Sequence, residues 1–408
     1  QPPELALGLF YNTDRSIPFF LQGNGIISKL LGLYNIGRVD FSFNDNSIMA
    51  AYHATAVNSY SSRSLSGFPI MLEDTPDFYL EAEAEGKPAD NTAGSEAVFW
   101  CEGGRTVKSL DFSSLSVSRM LLNENCRVKA SAQPCSGGGV VWIVDDKGTV
   151  FLLDRKLRAV RPFPVLTGCK PSARPAAIGK KLLIPAEGGI LAIVDDYGNV
   201  SELEVPDDCN FKSSPAVAGN TAAVYSKGFE GKIFLIQDGE ISNADSPMEV
   251  DGIAFGSPCL TEDDGKTVTA MITQAGDFHL FEDGSLRKGF PVSVPGVFHT
   301  NVVRADGSYF ALSADAELFR IEDDGSFSKV QVPGLSDAKE AWLSSDGEII
   351  YLSGNSNHIY AFTSSLEMMY GFPVAGRGQC VITDVNGDGK KDCVALSMDK
   401  KIYAWTIR

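Results

Sequence analysis

A short phrase, one polar residue followed by a mostly apolar run, returns along the chain, and its spacing constrains the fold more than any other feature. It reads TVFLLD from Thr149, ILAIVD from Ile190, KIFLIQ from Lys232, DFHLFE from Asp277, ELFRIE from Glu317, HIYAFT from His358 and KIYAWT from Lys401. Weaker copies stand at TVKSLD from Thr106 and AVNSYS from Ala56. Their second residues are Val57, Val107, Val150, Leu191, Ile233, Phe278, Leu318, Ile359 and Ile402, so successive copies lie 40 to 50 residues apart. Each copy passes through a polar turn into an exit strand, with prolines keeping the period at Pro69, Pro164, Pro206, Pro247, Pro291, Pro333 and Pro373. A repeat of this length, built from short strands and turns, is the signature of a β-propeller, whose four-stranded blades surround a central channel. Runs such as Phe151 to Leu153 are apolar on both faces, as a strand sandwiched between neighbouring blades must be. Proline suits the outer edge of a blade, where its missing donor leaves no gap in a ladder.

The phrase occurs nine times, whereas propellers typically have four to eight blades. The copy at Ala56 is the weakest, so eight blades are expected, with that copy contributing to closure. The unbroken repeat implies one all-β domain over residues 1–408. The chain stops just after KIYAWTIR, where earlier units go on to an exit strand. An N-terminal arm, residues 1–32, with the exit-like RSIPFFL from Arg15, is expected to lie beside Lys401 to Ile407 and close the ring, covering an otherwise bare edge. The acidic stretch between Glu81 and Glu96 reads as a surface excursion.

Lys and Arg number 35 against 52 Asp and Glu, a formal charge of −17. Such a surface argues against phosphate-backbone binding, so no nucleic-acid partner is expected. It also favours solubility, and a monomer is expected. No window approaches the ~18 consecutive apolar residues of a membrane span. The chain opens at Gln1 with Pro2 and Pro3, without an initiator methionine or signal sequence. Processing or truncation would explain this, and a lipid anchor upstream stays open.

The eight cysteines do not read as four disulfides. Cys135 and Cys259 follow a proline where neighbouring units have Pro175-Ala176 and Pro215-Ala216, and Cys380 falls near the same place, so these three are expected as small buried thiols. Cys169 and Cys209 each lie six residues before that proline in adjacent units, with Cys126 near the matching place one unit earlier. A disulfide between Cys169 and Cys209, a metal site adding Cys126, and unpaired loop cysteines all remain open.

The most specific local motif is DVNGDGKKD, Asp384 to Asp392. Asp384, Asn386 and Asp388 would offer side-chain oxygens, Lys390 a backbone carbonyl and Asp392 a further carboxylate, at alternate positions of a calcium-type loop with Gly389 making the turn. Ala395 stands where an EF-hand carries its bidentate glutamate, so this is not an EF-hand. A structural Ca2+ that stiffens the closing blade is expected; the alternative is a long Asp-rich turn. The four histidines, His53, His279, His299 and His358, show no paired spacing and read as packed or surface residues. Trp100, Trp142, Trp342 and Trp405 lie on predicted strands, where core packing is the expectation.

The Gly-Phe-Pro-Val exits, the Ser-Pro-Ala inner strands and the period resemble PQQ-like repeats, found in quinoprotein dehydrogenases and their non-enzymatic relatives. The DVNGDGKKD loop resembles the calcium loop of FG-GAP-type repeats. The likeness covers most of residues 126–408. In the dehydrogenases it implies a vicinal disulfide and a tryptophan against the quinone, with a catalytic aspartate and calcium ligands at the centre of the ring. This chain has no Cys-Cys pair. The expectation is therefore a non-catalytic scaffold of the cell envelope, periplasmic or extracellular, engaging a protein or glycan partner through its loops or channel mouth and holding no quinone. Scaffold members of the class, among them a propeller lipoprotein of outer-membrane protein assembly, act this way. The alternative is an enzyme with its site at the channel mouth, either a quinoprotein dehydrogenase or a polysaccharide lyase or hydrolase using channel carboxylates.

Overall fold

The repeated phrase forms the third strand of each blade. The computed structural model describes residues 64–82, 97–122, 127–134, 140–228, 230–263, 265–335 and 338–407. These residues form eight antiparallel sheets, blades 1 to 8 in chain order, each running outward from an inner strand that begins at Glu81, Val128, Ala176, Ala216, Cys259, Val303, Trp342 and Val381 respectively. In blade 3, for example, Ala176–Ile178 is innermost, followed by Lys181–Ala186, Ile190–Asp195 and Val200–Leu203. The outer strand of blades 4 and 5 is split into two short pieces that both pair with the third strand.

The residues aligned by the phrase occupy equivalent buried places. Val107, Val150, Leu191, Ile233, Phe278, Leu318, Ile359 and Ile402 all lie on third strands and are at most 1% exposed. Both faces of these strands are covered because blades stack face to face, and eight apolar clusters fill the eight gaps between neighbours. One contains Leu318, Leu335, Ile350 and Phe362, joining blades 6 and 7. Another joins Val394 and Ile402 of blade 8 to Leu80, Val98 and Leu110 of blade 1, so the ring is closed.

Closure uses three strands from the C-terminal end and one from the N-terminal side. Val381–Thr383, Asp392–Ser397 and Lys401–Thr406 form the inner part of blade 8, and Ile70–Met71 is its outer strand. Ile70 pairs with Ile402 and Met71 with Lys401, flanked by Leu65 N–H to Ala404 O at 3.0 Å and Leu72 N–H to Lys400 O at 2.9 Å. Among the described residues the closing strand is thus Ile70–Met71, the exit of the weak first copy that follows Gly67-Phe68-Pro69; the expected arm, residues 1–32, lies outside the described residues. Its chemistry is that of the other exits. Gly67 sits at φ +89° before a cis Phe68–Pro69 bond, and Phe68 is buried in the seam. Gly289 and Gly371 precede cis Phe-Pro bonds with the same sign of φ.

Beyond the closing strand the chain crosses to blade 1, and a polar latch holds it. Glu102 Oε1 accepts from Trp100 Nε1 at 2.8 Å, and Oε2 accepts from the Asp74 backbone N–H at 2.9 Å and lies 3.4 Å from Lys108 Nζ. Lys108 also reaches Glu73 at 2.9 Å. Glu102 and Lys108 are buried in the seam, where a charge is tolerated only with partners. Blade 8 is therefore tied to blade 1 by both apolar packing and this group.

Candidate functional site

The segments that lead into the inner strands converge at one end of the channel and surround a cavity of about 590 Å³. Blade 1 supplies Asp77, Phe78 and Tyr79, blade 4 Lys212 and Ser213, and blade 5 Phe255. Blades 6, 7 and 8 add His299, Trp342 and the pair Arg377 and Gln379. Two glycines let these segments close in: a Cβ on Gly378 would overlap the Phe78 carbonyl oxygen, and one on Gly256 would overlap that of Thr300. Gln379 N–H donates to the Phe78 carbonyl at 3.0 Å, so the first and last blades share one rim.

Aromatic rings capped by cations dominate the mouth. The Arg174 guanidinium, from the segment before the inner strand of blade 3, lies over the Tyr79 ring at 3.2 Å and 5.8 Å from that of Trp342. Tyr79 and Trp342 meet edge to face at 5.3 Å. Lys227 Nζ is 3.9 Å above Phe255, which packs on His299 at 5.0 Å, and Arg377 stands 4.9 Å over Phe78. Such contacts are worth about 0.5–2 kcal/mol each, more as water is excluded. Trp342 and Phe255 stay open to solvent, 37% and 43% exposed.

Two polar groups in this region have no hydrogen-bond partner. Ser213 is 8% exposed and its Oγ is unpaired, as is Nη1 of Arg174. Asp77 touches water in the concave mouth yet is hemmed in by protein. That burial pushes its carboxyl up, while Arg174 and the Tyr79 N–H at 3.2 Å pull it down. Behind it, burial pushes the Cys101 thiol up to about 12, the charges of Asp77 and Glu102 adding to the effect.

The DVNGDGKKD loop joins the inner and second strands of blade 8, so it lies at the opposite end of the channel from the mouth. Asp384 Oδ1 accepts from Gly387 and Asp388 N–H at 2.7 and 3.1 Å, and Oδ2 from Gly389 at 2.8 Å. Asn386 caps Asp388 at 3.0 Å, and Asp388 caps the Lys390 N–H at 2.9 Å. Among the described residues no three His, Cys, Asp or Glu side chains converge as a metal-binding group. Asp392 differs from its neighbours in the loop. It is fully buried, Oδ2 accepts from Val385 N–H at 3.0 Å, and Oδ1 has no partner. Burial pushes its carboxyl up, the Val385 N–H and Thr406 pull against it, and the charges of Asp388 and Asp384 push further.

Other expected residues are dispersed. Cys169 and Cys209 are free thiols, each packed in its own gap between blades, and Cys126 and Cys135 lie outside the described residues. Cys380 is buried as expected, and Cys259, half-buried, begins the inner strand of blade 5. Trp100, Trp142 and Trp405 are core residues, whereas Trp342 faces the mouth. His279 is buried and stacked on Phe281, and burial lowers its pKa. His299 reaches the mouth, and His53 is outside the described residues. The sequence held one clue to the site. Arg174 precedes Pro175 where the next two units place Ser214 before Pro215 and Ser257 before Pro258. An arginine at a serine position of a repeat marks a local departure from packing.

No protein-family model matches the chain, and no curated protein matches it in sequence. Solved structures do. BamB from Moraxella catarrhalis superposes with a TM-score of 0.60 at 14% identity, over 84% of this chain and 99% of that one. The likeness is one of fold. The computationally designed Ika8 protein gives a TM-score of 0.52 at 15% identity, over 85% of this chain and 100% of its own. Dihydro-heme d1 dehydrogenase NirN, solved in complex with DHE, gives 0.52 at 15%, over 81% and 84%. The resemblance to PQQ-like propellers thus holds at the level of the ring. A ring shared by a dehydrogenase and a designed protein carries no function by itself, so function is argued from the mouth.

Proposed function

We propose that the protein is a non-catalytic binding propeller of the cell envelope that engages a protein or glycan partner at its channel mouth. The observation that carries this reading is the pair of part-exposed rings, Trp342 and Phe255, in a cavity where cations stand over Phe78, Tyr79 and Phe255. Solvated aromatic side chains beside cations are the groups that dominate recognition surfaces. Asp77, the mouth carboxylate beside Arg174, is read as an organiser of that loop, since it accepts the Tyr79 N–H. Placement outside the cytoplasm rests on the family resemblance alone. The six described cysteines are free, and cell fractionation is the direct check. The binding test is capture of envelope proteins and glycans by the intact protein and by a Trp342→Ala/Phe255→Ala variant. Partners held by the intact protein should be lost at least tenfold in the variant. Equal capture by both would move the site away from the mouth.

The same proposal includes a structural calcium ion at Asp384, Asn386, Asp388, Lys390 and Asp392. What supports it is the buried Asp392, whose unpartnered Oδ1 and raised pKa mark a carboxylate without a counter-charge. The fit is partial, because the oxygens of Asp384 accept loop amides and would have to be shared. An ion bound only by the folded state stabilises it by mass action, about 2.7 kcal/mol at a hundredfold excess over Kd. Thermal melts should rise with calcium and fall with chelator, and Asp388→Ala should blunt the response. If chelator leaves the melt unchanged, the loop is a hydrogen-bonded turn.

A further inference from the structure

We infer that the mouth cavity takes a short oligosaccharide bearing carboxylates, of the hexuronate class. This rests on the mouth being the binding site and adds the chemistry of the ligand. Size comes first. About 590 Å³ lies within the range of small-ligand sites and admits a few linked rings, not a folded domain.

Charge sets the sign. In a chain of net charge −17, Lys212 and Arg377 line the cavity with Asp77 and Glu340, Arg174 stands beside it over Tyr79, and Lys227 reaches over Phe255 from a neighbouring pocket it shares with Asp208, Glu230 and Lys232. Asp77 is already engaged by Arg174 and the Tyr79 N–H. That leaves Lys212 and Arg377 facing Glu340 within the cavity, so an anion is favoured, and guanidinium groups suit carboxylates.

The walls favour a sugar over an acidic peptide. Trp342 and Phe255 stay part exposed, Lys227 covering one side of Phe255, and an aromatic face, with its negative quadrupole, suits the slightly positive C–H face of a pyranose. Between them stand Ser213, Ser214, Ser257, Asn301 and Gln379, short groups that both donate and accept, as hydroxyl-rich ligands require. Apart from Trp342 and Leu343, the lining residues lie outside strands, so the cavity offers a peptide little ladder to extend. The unpartnered Ser213 Oγ and Arg174 Nη1 add an independent sign. Buried polar atoms are rarely left without partners, and a ligand oxygen would complete both after a small shift.

The experiment is titration calorimetry of the intact protein with trigalacturonate, maltotriose and tri-glutamate at two salt concentrations. Trigalacturonate should bind at least tenfold tighter than maltotriose and tri-glutamate, and more weakly at high salt. Trp342→Ala and Arg174→Gln should each weaken it at least tenfold. Arg174 is partly buried, so Lys227→Gln serves as a second cation variant with unchanged circular dichroism and an expected loss of about threefold. Equal affinity for maltotriose, tighter binding of tri-glutamate, or no binding of trigalacturonate would each overturn the inference. Partner capture that depends on Trp342 and Phe255 without uronate binding would refute the ligand class and leave the mouth as the site.

Discussion

Replacing Glu102 with alanine is expected to destabilise the protein by about 3–5 kcal/mol, the cost of removing one member of a buried charged group. The substitution leaves the Trp100 indole N–H and the Asp74 N–H without their acceptor and strips Lys108 of one of its two carboxylates. Lys108 keeps Glu73, so most of the loss comes from the two orphaned donors, each about 1–3 kcal/mol. Urea unfolding followed by tryptophan fluorescence would measure it. Glu73→Ala, at a side chain 65% exposed, is the control, expected to shift the unfolding midpoint far less. Equal effects from the two variants would mean that Glu102 does not hold the seam.

Phe278→Ala is expected to cost about 3–5 kcal/mol through loss of buried surface and the cavity left behind. Phe278 is fully buried between blades 5 and 6, edge to face with Phe290 at 6.0 Å and tilted against Tyr309 at 5.4 Å. No neighbour can close the gap without moving a strand that is hydrogen-bonded on both sides. Leu286→Ala in the same blade, at a side chain 45% exposed, should change stability by no more than about 0.5 kcal/mol. Parity between the two in urea unfolding would refute the assignment of the phrase to the buried third strand.

Much of the ring was legible in the sequence because a strand covered on both faces must be apolar on both faces, and the same demand recurs in every blade. Hence Ile233, Phe278, Leu318, Ile359 and Ile402 align in the sequence and fall on equivalent third strands. The closing strand was harder to place. RSIPFFL and the stretch from Gly67 to Met71 read alike, and nothing local says which one pairs with Lys401–Thr406. The mouth was hidden for a different reason. Each blade contributes only one or two residues to it, so Tyr79, Arg174, Phe255 and Trp342 are far apart in the chain and look like packing or surface residues when read singly. The loop from Asp384 to Asp392 shows the reverse. Its spacing is plain, but whether its oxygens face an ion or their own amides is a matter of orientation, which spacing does not contain.

The two ends of the described chain meet twice, at the outer edge of blade 8 and again at the rim, where Gln379 N–H reaches the Phe78 carbonyl. On a ribosome, Ile70 would emerge long before its partner Ile402 has been made. Closing a loop of about 330 residues adds only a logarithmic entropic term, but such distant contacts form late. The rim that holds Phe78 and Tyr79 therefore cannot take shape until the last blade has been synthesised and zipped. Affinity at the mouth would then report closure of the ring: a molecule truncated before Lys401 should bind nothing there, even with all of the lining residues present.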